Sequence, residues 1–136
     1  MELDYALLAD AASVDSDGKL YVMGGNLGTV QTEPPPAAIS QLALVATVTA
    51  GLEEAERPSR FTVEIEGPDG EVTVPAIHGD VQAVAGDDDP VARATIVLTL
   101  NGLPVQNSGR HAVRISIDGI LQQTLTFDVE AIDEGE

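Results

Sequence analysis

Two histidines, a surplus of carboxylates and no cysteine are the residues of this chain from which chemistry could be built. Asp15-Ser16-Asp17-Gly18 has the opening of a calcium loop, in which alternate carboxylates supply hard oxygen ligands. It departs from an EF-hand at the twelfth loop position, where Asn26 stands instead of a bidentate glutamate. Asp87, Asp88 and Asp89 could join a second loop around a cation, but consecutive acids before Pro90 read first as a solvated loop. Neither a metal nor a cofactor is therefore expected, and Asp15, Asp17, Asp87, Asp88 and Asp89 are the weak metal candidates. His78 and His111 lie in different segments, and no serine stands in a nucleophile-elbow pattern to be activated by either. His111 falls on the inward side of a strand pattern, where a core role is expected, and His78 reads as a loop or strand-end residue. Gly24-Gly25-Asn26 lacks the lysine and following helix of a phosphate loop. With no catalytic constellation, the expectation is a protein that is not an enzyme.

Charge narrows the partners. Twenty-three acids against six bases give −17 among 136 residues, a surface that repels phosphate backbones and anionic headgroups. No nucleic acid and no membrane are expected as partners, and solubility is the plainest use of the charge. MELDYALLAD has acids where an export signal needs bases, and no run approaches the ~20 apolar residues of a bilayer span. A cytoplasmic protein is the expectation. The absence of cysteine removes disulfides and thiol chemistry.

The elements that would position these residues are strands. In Arg110 to Glu130, His111, Val113, Ile115 and Ile117 alternate with polar or small residues, and so do Leu121, Leu125, Phe127 and Val129, the period-2 signature of a β-hairpin. Both apolar sets are odd-numbered, and cross-strand partners share a face, so the loop must hold an odd number of residues. A three-residue loop Ile117-Asp118-Gly119 is predicted, pairing Ile115 with Leu121 and His111 with Leu125. By the same parity, Gly67 to Gly70 is a four-residue loop that sets Ile65 opposite Val72 and Val63 opposite Val74.

Earlier in the chain, Glu2 to Val14 fits strand or helix, and the turn Asp15 to Gly18 followed by Lys19 to Met23 favours strand. Leu27 to Thr32 is another strand, and Pro34-Pro35-Pro36 a stiff crossing between sheets. Gln41 to Ala50 is apolar on both faces, so it is central, or its second face is covered by a local element or by a second copy in a homodimer. Glu53 to Pro58 reads as a solvated loop, Ala76 to Val84 as weakly strand-like, Ala92 to Leu100 as a strand, and Asn101 to Gly109 as a loop.

About nine short strands without an amphipathic helix describe an all-β protein, a single-domain antiparallel β-sandwich of the immunoglobulin-like or a related kind. The domain covers 1–132, and 133–136 is an acidic tail. Aromatics are only 3% of residues, so the core must be aliphatic.

The opening residues Leu7, Leu8, Asp10, Gly18, Lys19, Leu20, Tyr21 and Gly24 resemble the start of a family of small bacterial proteins, common in actinobacteria, known only as a domain of unknown function. That resemblance runs to Arg57-Pro58 and implies no activity, cofactor or partner. GRHAVRISIDG is similar to the penultimate strand of immunoglobulin-like sandwiches, with His111 where tyrosine is usual. The expected function is a non-enzymatic interaction or structural module whose partner is a protein. The alternative is a calcium- or small-ligand-binding sandwich using the acidic loops.

Overall fold

Val, Ile, Thr and Leu dominate the patterned segments, and their branched side chains suit a pleated surface better than a helix. A computed structural model describes residues 1–132, and the expected tail at 133–136 lies outside them. Strands make up 65% of the described residues, among which there is no α-helix and hence no helix long and apolar enough to cross a membrane. Ten strands follow in order among the described residues: β1 (Glu2–Ala9), β2 (Ala11–Val14), β3 (Leu20–Met23), β4 (Thr29–Thr32), β5 (Ala37–Gly51), β6 (Ser59–Glu66), β7 (Ile77–Val81), β8 (Val91–Val105), β9 (Gly109–Ile117) and β10 (Ile120–Ala131).

The strands form a three-stranded sheet, β1-β5-β8, a five-stranded sheet, β4-β10-β9-β6-β7, and the hairpin β2-β3. The opening segment is thus strand, as the turn after it argued. Leu42, Leu44, Ala46 and Val48 of β5 meet Phe61, Val63 and Ile65 of β6, Val113, Ile115 and Ile117 of β9, and Phe127 and Val129 of β10 in one core. The five-stranded sheet is mixed, because β4 runs parallel to β10, and part of the fold curls into a half-barrel. Leu27 N–H donates to the Leu8 carbonyl at 2.9 Å, and Asp128 N–H to the Gly28 carbonyl at 2.8 Å, which stitches β1 to β10 along one side.

β5 lies between β1 and β8, and every residue from Leu42 to Val48 is buried. Its even-numbered side chains enter the core. β2 packs against both β5 and β8, so the second apolar face is covered inside one chain. Proline supplies no ladder donor, and Pro34-Pro35-Pro36 carries the chain from β4 in one sheet to β5 in the other, as expected.

Both predicted hairpin registers are corrected. The β9–β10 turn has two residues, Asp118 (φ 50°) and Gly119 (φ 81°), the doubly left-handed pair that a tight Asp-Gly hairpin requires. Parity is restored by a bulge between Leu121 and Gln123, an extra residue in the strand rather than in the loop. Ile115 therefore faces Gln123, and His111 faces Phe127. Ile120 and Leu121, ahead of the bulge, are exposed. After β6 the chain makes a five-residue loop, Gly67 to Glu71, so that Glu66, not Ile65, bridges Val72. Val63 pairs with Ile77 of β7 instead of Val74. The Glu71 carboxylate accepts from Asp69 N–H at 2.8 Å and Asn107 Nδ2 at 3.2 Å, and it lies over Gly67, where a Cβ would push it aside. The expected loop from Asn101 to Gly109 shrinks to 106–108, because β8 runs on to Val105 opposite Ala37.

Candidate functional site

β4 is held by one neighbour. Asp128 N–H donates to Gly28 O and Ile132 N–H to Thr32 O, so even-numbered carbonyls of this stretch face β10. Backbone groups alternate in direction along a strand, so the N–H and C=O of Thr29 and Gln31 point to the side on which the sheet has no further strand. Across from them is a second unpaired edge. β1 stops at Ala9 opposite Ala43, while β5 begins at Ala37, leaving Ala37 to Gln41 with β8 on one side only. Gln41 Nε2 donates to the Asp10 carbonyl at 3.2 Å, marking the point where β1 ends.

Between the two edges lies a slot of about 560 Å³. Leu27, Val30 and the buried Ile39 supply its apolar lining, and the small Ala37, Ala38 and Ser40 leave the β5 backbone approachable. Glu33 and Ala37, which the prolines join, both line it, and so does Leu27, whose N–H donates to the Leu8 carbonyl. Asp10 and Glu33 line the slot, and no lysine or arginine does. That follows from the sequence: no base stands between Lys19 and Arg57, nor after Arg114. β4, the first part of β5 and all of β10 come from these stretches.

The aspartates singled out as metal candidates are not brought together. Asp15 builds its own turn: Oδ1 accepts from Lys19 and Asp17 N–H, both at 2.9 Å, and Oδ2 accepts from the Tyr21 hydroxyl at 3.1 Å. The Lys19 N–H is the main cause holding the Asp15 carboxyl below its ordinary range, with Asp17 N–H and the Tyr21 hydroxyl adding to it. Asp17 is exposed beside it. Asp87, Asp88 and Asp89 lie exposed in a turn closed by Asp89 N–H to Gly86 O at 3.2 Å. Among the described residues no three His, Asp or Glu side chains converge as a cation would require.

A family model matches residues 4–130, reaching from β1 into β10. The chain belongs to DUF6941, a family of unknown function. No curated protein matches it. The DUF6941 match extends well beyond Pro58, where the resemblance read from the opening residues ended, and takes in the whole slot except Ile132.

Within the DUF6941 fold the two histidines stay apart, on β7 and β9 with β6 between them. His78 is exposed and shares a 3.0 Å hydrogen bond between Nδ1 and Thr62 Oγ1. His111 is fully buried, stacked on Phe127 with ring centroids 5.1 Å apart, in keeping with the inward role its strand pattern gave it. The slot itself escaped sequence reasoning, because it arises from the unequal lengths of β1 and β5. The base-free stretch from 20 to 56 was the signal that could have pointed to it.

Proposed function

We propose that this protein is a non-enzymatic interaction module of sandwich type, and that its slot takes an extended segment of a partner protein by strand addition. The observation that carries the reading is the pair of unpaired backbone edges, Thr29–Gln31 and Ala37–Gln41, facing one apolar-lined slot. Main-chain hydrogen bonds to a sheet edge give such complexes affinity, and pockets for alternate side chains give specificity. Asp10 and Glu33, without a base among the lining residues, suit a segment that alternates Lys or Arg with small apolar residues. Pro34 ends the edge and keeps the strand-like contact short. No observation favours the cation alternative, since the Asp15 oxygens serve the turn.

The test is an NMR titration of the full chain with the synthetic peptide Lys-Val-Lys-Val-Lys-Val, against Glu-Val-Glu-Val-Glu-Val. The basic peptide shifts the amides of Thr29, Gln31 and residues 37–41, and it binds more weakly as salt rises. Gln31→Pro, which removes an outward donor and leaves the β10 ladder intact, abolishes those shifts. Equal binding of both peptides, or shifts spread over the whole acidic surface and indifferent to Gln31→Pro, overturns the reading.

A further inference from the structure

Another open side of the fold carries a different kind of edge. β8 is the outermost strand of its sheet and fifteen residues long, yet its outer side carries only one bridge among the described residues, Val84 to Arg93. Arg93 N–H donates to Val84 O at 3.0 Å and Val84 N–H to Arg93 O at 2.9 Å, so Arg93 turns both its backbone groups outward. The register to β5 runs without a shift through this region, and alternation then turns the N–H and C=O of Thr95, Val97 and Thr99 outward as well. Proteins normally blunt such an edge with lysine, proline or a bulge. From Ala94 to Leu100 there is no charge, no proline and no bulge.

Three further features say what covers it. The run Thr95-Ile96-Val97-Leu98-Thr99 reads nearly the same in both directions about Val97, so an antiparallel copy presents like to like, as a two-fold interface requires. No acid stands between Pro90 and Ile117, although the chain has twenty-three. The edge is therefore a place where two chains of −17 can meet without carboxylate opposing carboxylate. Finally, Ile96 and Leu98 are only half buried and border an apolar cleft of about 120 Å³ with Phe61, Val63 and Ile77.

We infer that β8 pairs antiparallel with β8 of a second copy about a two-fold axis at Val97, joining two three-stranded sheets into one of six strands. Thr95 stands opposite Thr99 of the second copy, Val97 opposite Val97, and Thr99 opposite Thr95, three pairs that exchange about six backbone hydrogen bonds. The incoming Ile96 and Leu98 fall on the core side of the sheet and cover the cleft at Ile77. This contact is independent of the slot at β4. It replaces Gln41–Ala50 as the dimer surface, because the second face of that stretch already has β2 packed on it.

Sedimentation velocity of the full chain, from micromolar to millimolar and at low and high sodium chloride, reads the association. A dimer is expected, and it strengthens about tenfold or more with salt as repulsion between the two anionic bodies is screened. Val97→Lys and Val97→Glu are each monomeric, since like charges meet on the axis, and an equimolar mixture of the two restores the dimer. Amide exchange on the wild type gives a second readout that needs no variant. Thr95, Val97 and Thr99 gain protection with concentration, whereas Ile96 and Leu98, bonded to β5, are protected throughout. A chain that stays monomeric at millimolar concentration in high salt, a dimer indifferent to Val97→Lys, or fast exchange of those three amides at every concentration overturns the inference.

Discussion

Replacing His111 by phenylalanine should stabilise the protein. The imidazole is fully buried on β9 and stacks on Phe127 at an interplanar angle of 21°. A carbonyl can only accept, so the 3.0 Å contact with Gly109 O fixes the proton on Nδ1, which donates. Nε2 is then a bare acceptor, and it has no partner. A buried unsatisfied group of this kind costs about 1–3 kcal/mol, while the hydrogen bond given up is worth about 0.5–1.5 kcal/mol. Phenylalanine keeps the ring stack and the shape, so the balance runs from a loss of about 0.5 to a gain of about 2.5 kcal/mol and centres on a gain of about 1 kcal/mol. Each kcal/mol should move the melting temperature by about 3–5 °C in a chain of this size. His111→Ala, which leaves a cavity against Phe127, should lose about 3 kcal/mol. Urea unfolding at neutral pH measures both, with the slope serving as a check that the unfolded state is unchanged. A loss of more than about 1 kcal/mol in His111→Phe at constant slope refutes the reasoning, because it would mean that Nε2 is satisfied by a buried water.

The β9–β10 turn and the surface charge give two more tests. Asp118 takes φ 50° and accepts from Arg60 N–H at 2.8 Å; asparagine tolerates that conformation and keeps the acceptor, so Asp118→Asn should melt near the wild type at neutral pH and Asp118→Ala clearly lower. The Arg60 N–H chiefly holds the Asp118 carboxyl below its ordinary range, as the Lys19 N–H does for Asp15 and the residue's own N–H for Glu71. A lowered folded value means stability that is complete above the unfolded value, about pH 4, and is lost as pH falls through the folded one. Asp118→Asn should therefore show a flatter loss of melting temperature than the wild type in the acid limb, and an identical limb would show that the turn bond does not depend on charge. Sodium chloride should raise the melting temperature more than calcium chloride at matched ionic strength, because screening of −17 charges needs no site. A saturable rise at low calcium, abolished by Asp87→Asn together with Asp88→Asn, would instead reveal a cation site.

Strands were legible in the sequence because apolar alternation is a local property, and so the all-β class and the inward face of His111 could both be read from the residues. Registers were not, because parity reports that an odd residue exists somewhere without saying where. Asp118-Gly119 is the better two-residue turn, and the cheapest place for the extra residue is the strand, at Gln122, whose Oε1 accepts from Leu3 N–H at 3.3 Å. Similarly, Val72 and Val74 look like a returning strand. Pro75 removes a donor just after them, and the ladder with β6 is made by Ile77 to Val81 instead. The end of β8 was hidden by Gly102, which reads as a loop residue and sits at φ 70° inside the strand. The slot depends on where β1 stops and β5 starts, a difference in length between partners that no single segment displays.

Charge distinguishes the edges at β4 and β8. Both β4 and β8 expose a row of unpaired amides and carbonyls, and backbone hydrogen bonding alone would let each recruit any extended chain. At the slot, Asp10 and Glu33 would face the proposed incoming strand, so that a second copy carrying −17 would be repelled there and a basic segment drawn in. Along β8 no acid rewards a basic segment, and the uncharged side chains around Val97 suit an uncharged strand such as their own. The acidic composition that first reads as a device for solubility would thus also separate the two proposed contacts, which share one backbone chemistry. In β8 it leaves a long open edge without an acid, the place at which the proposed self-pairing meets least repulsion.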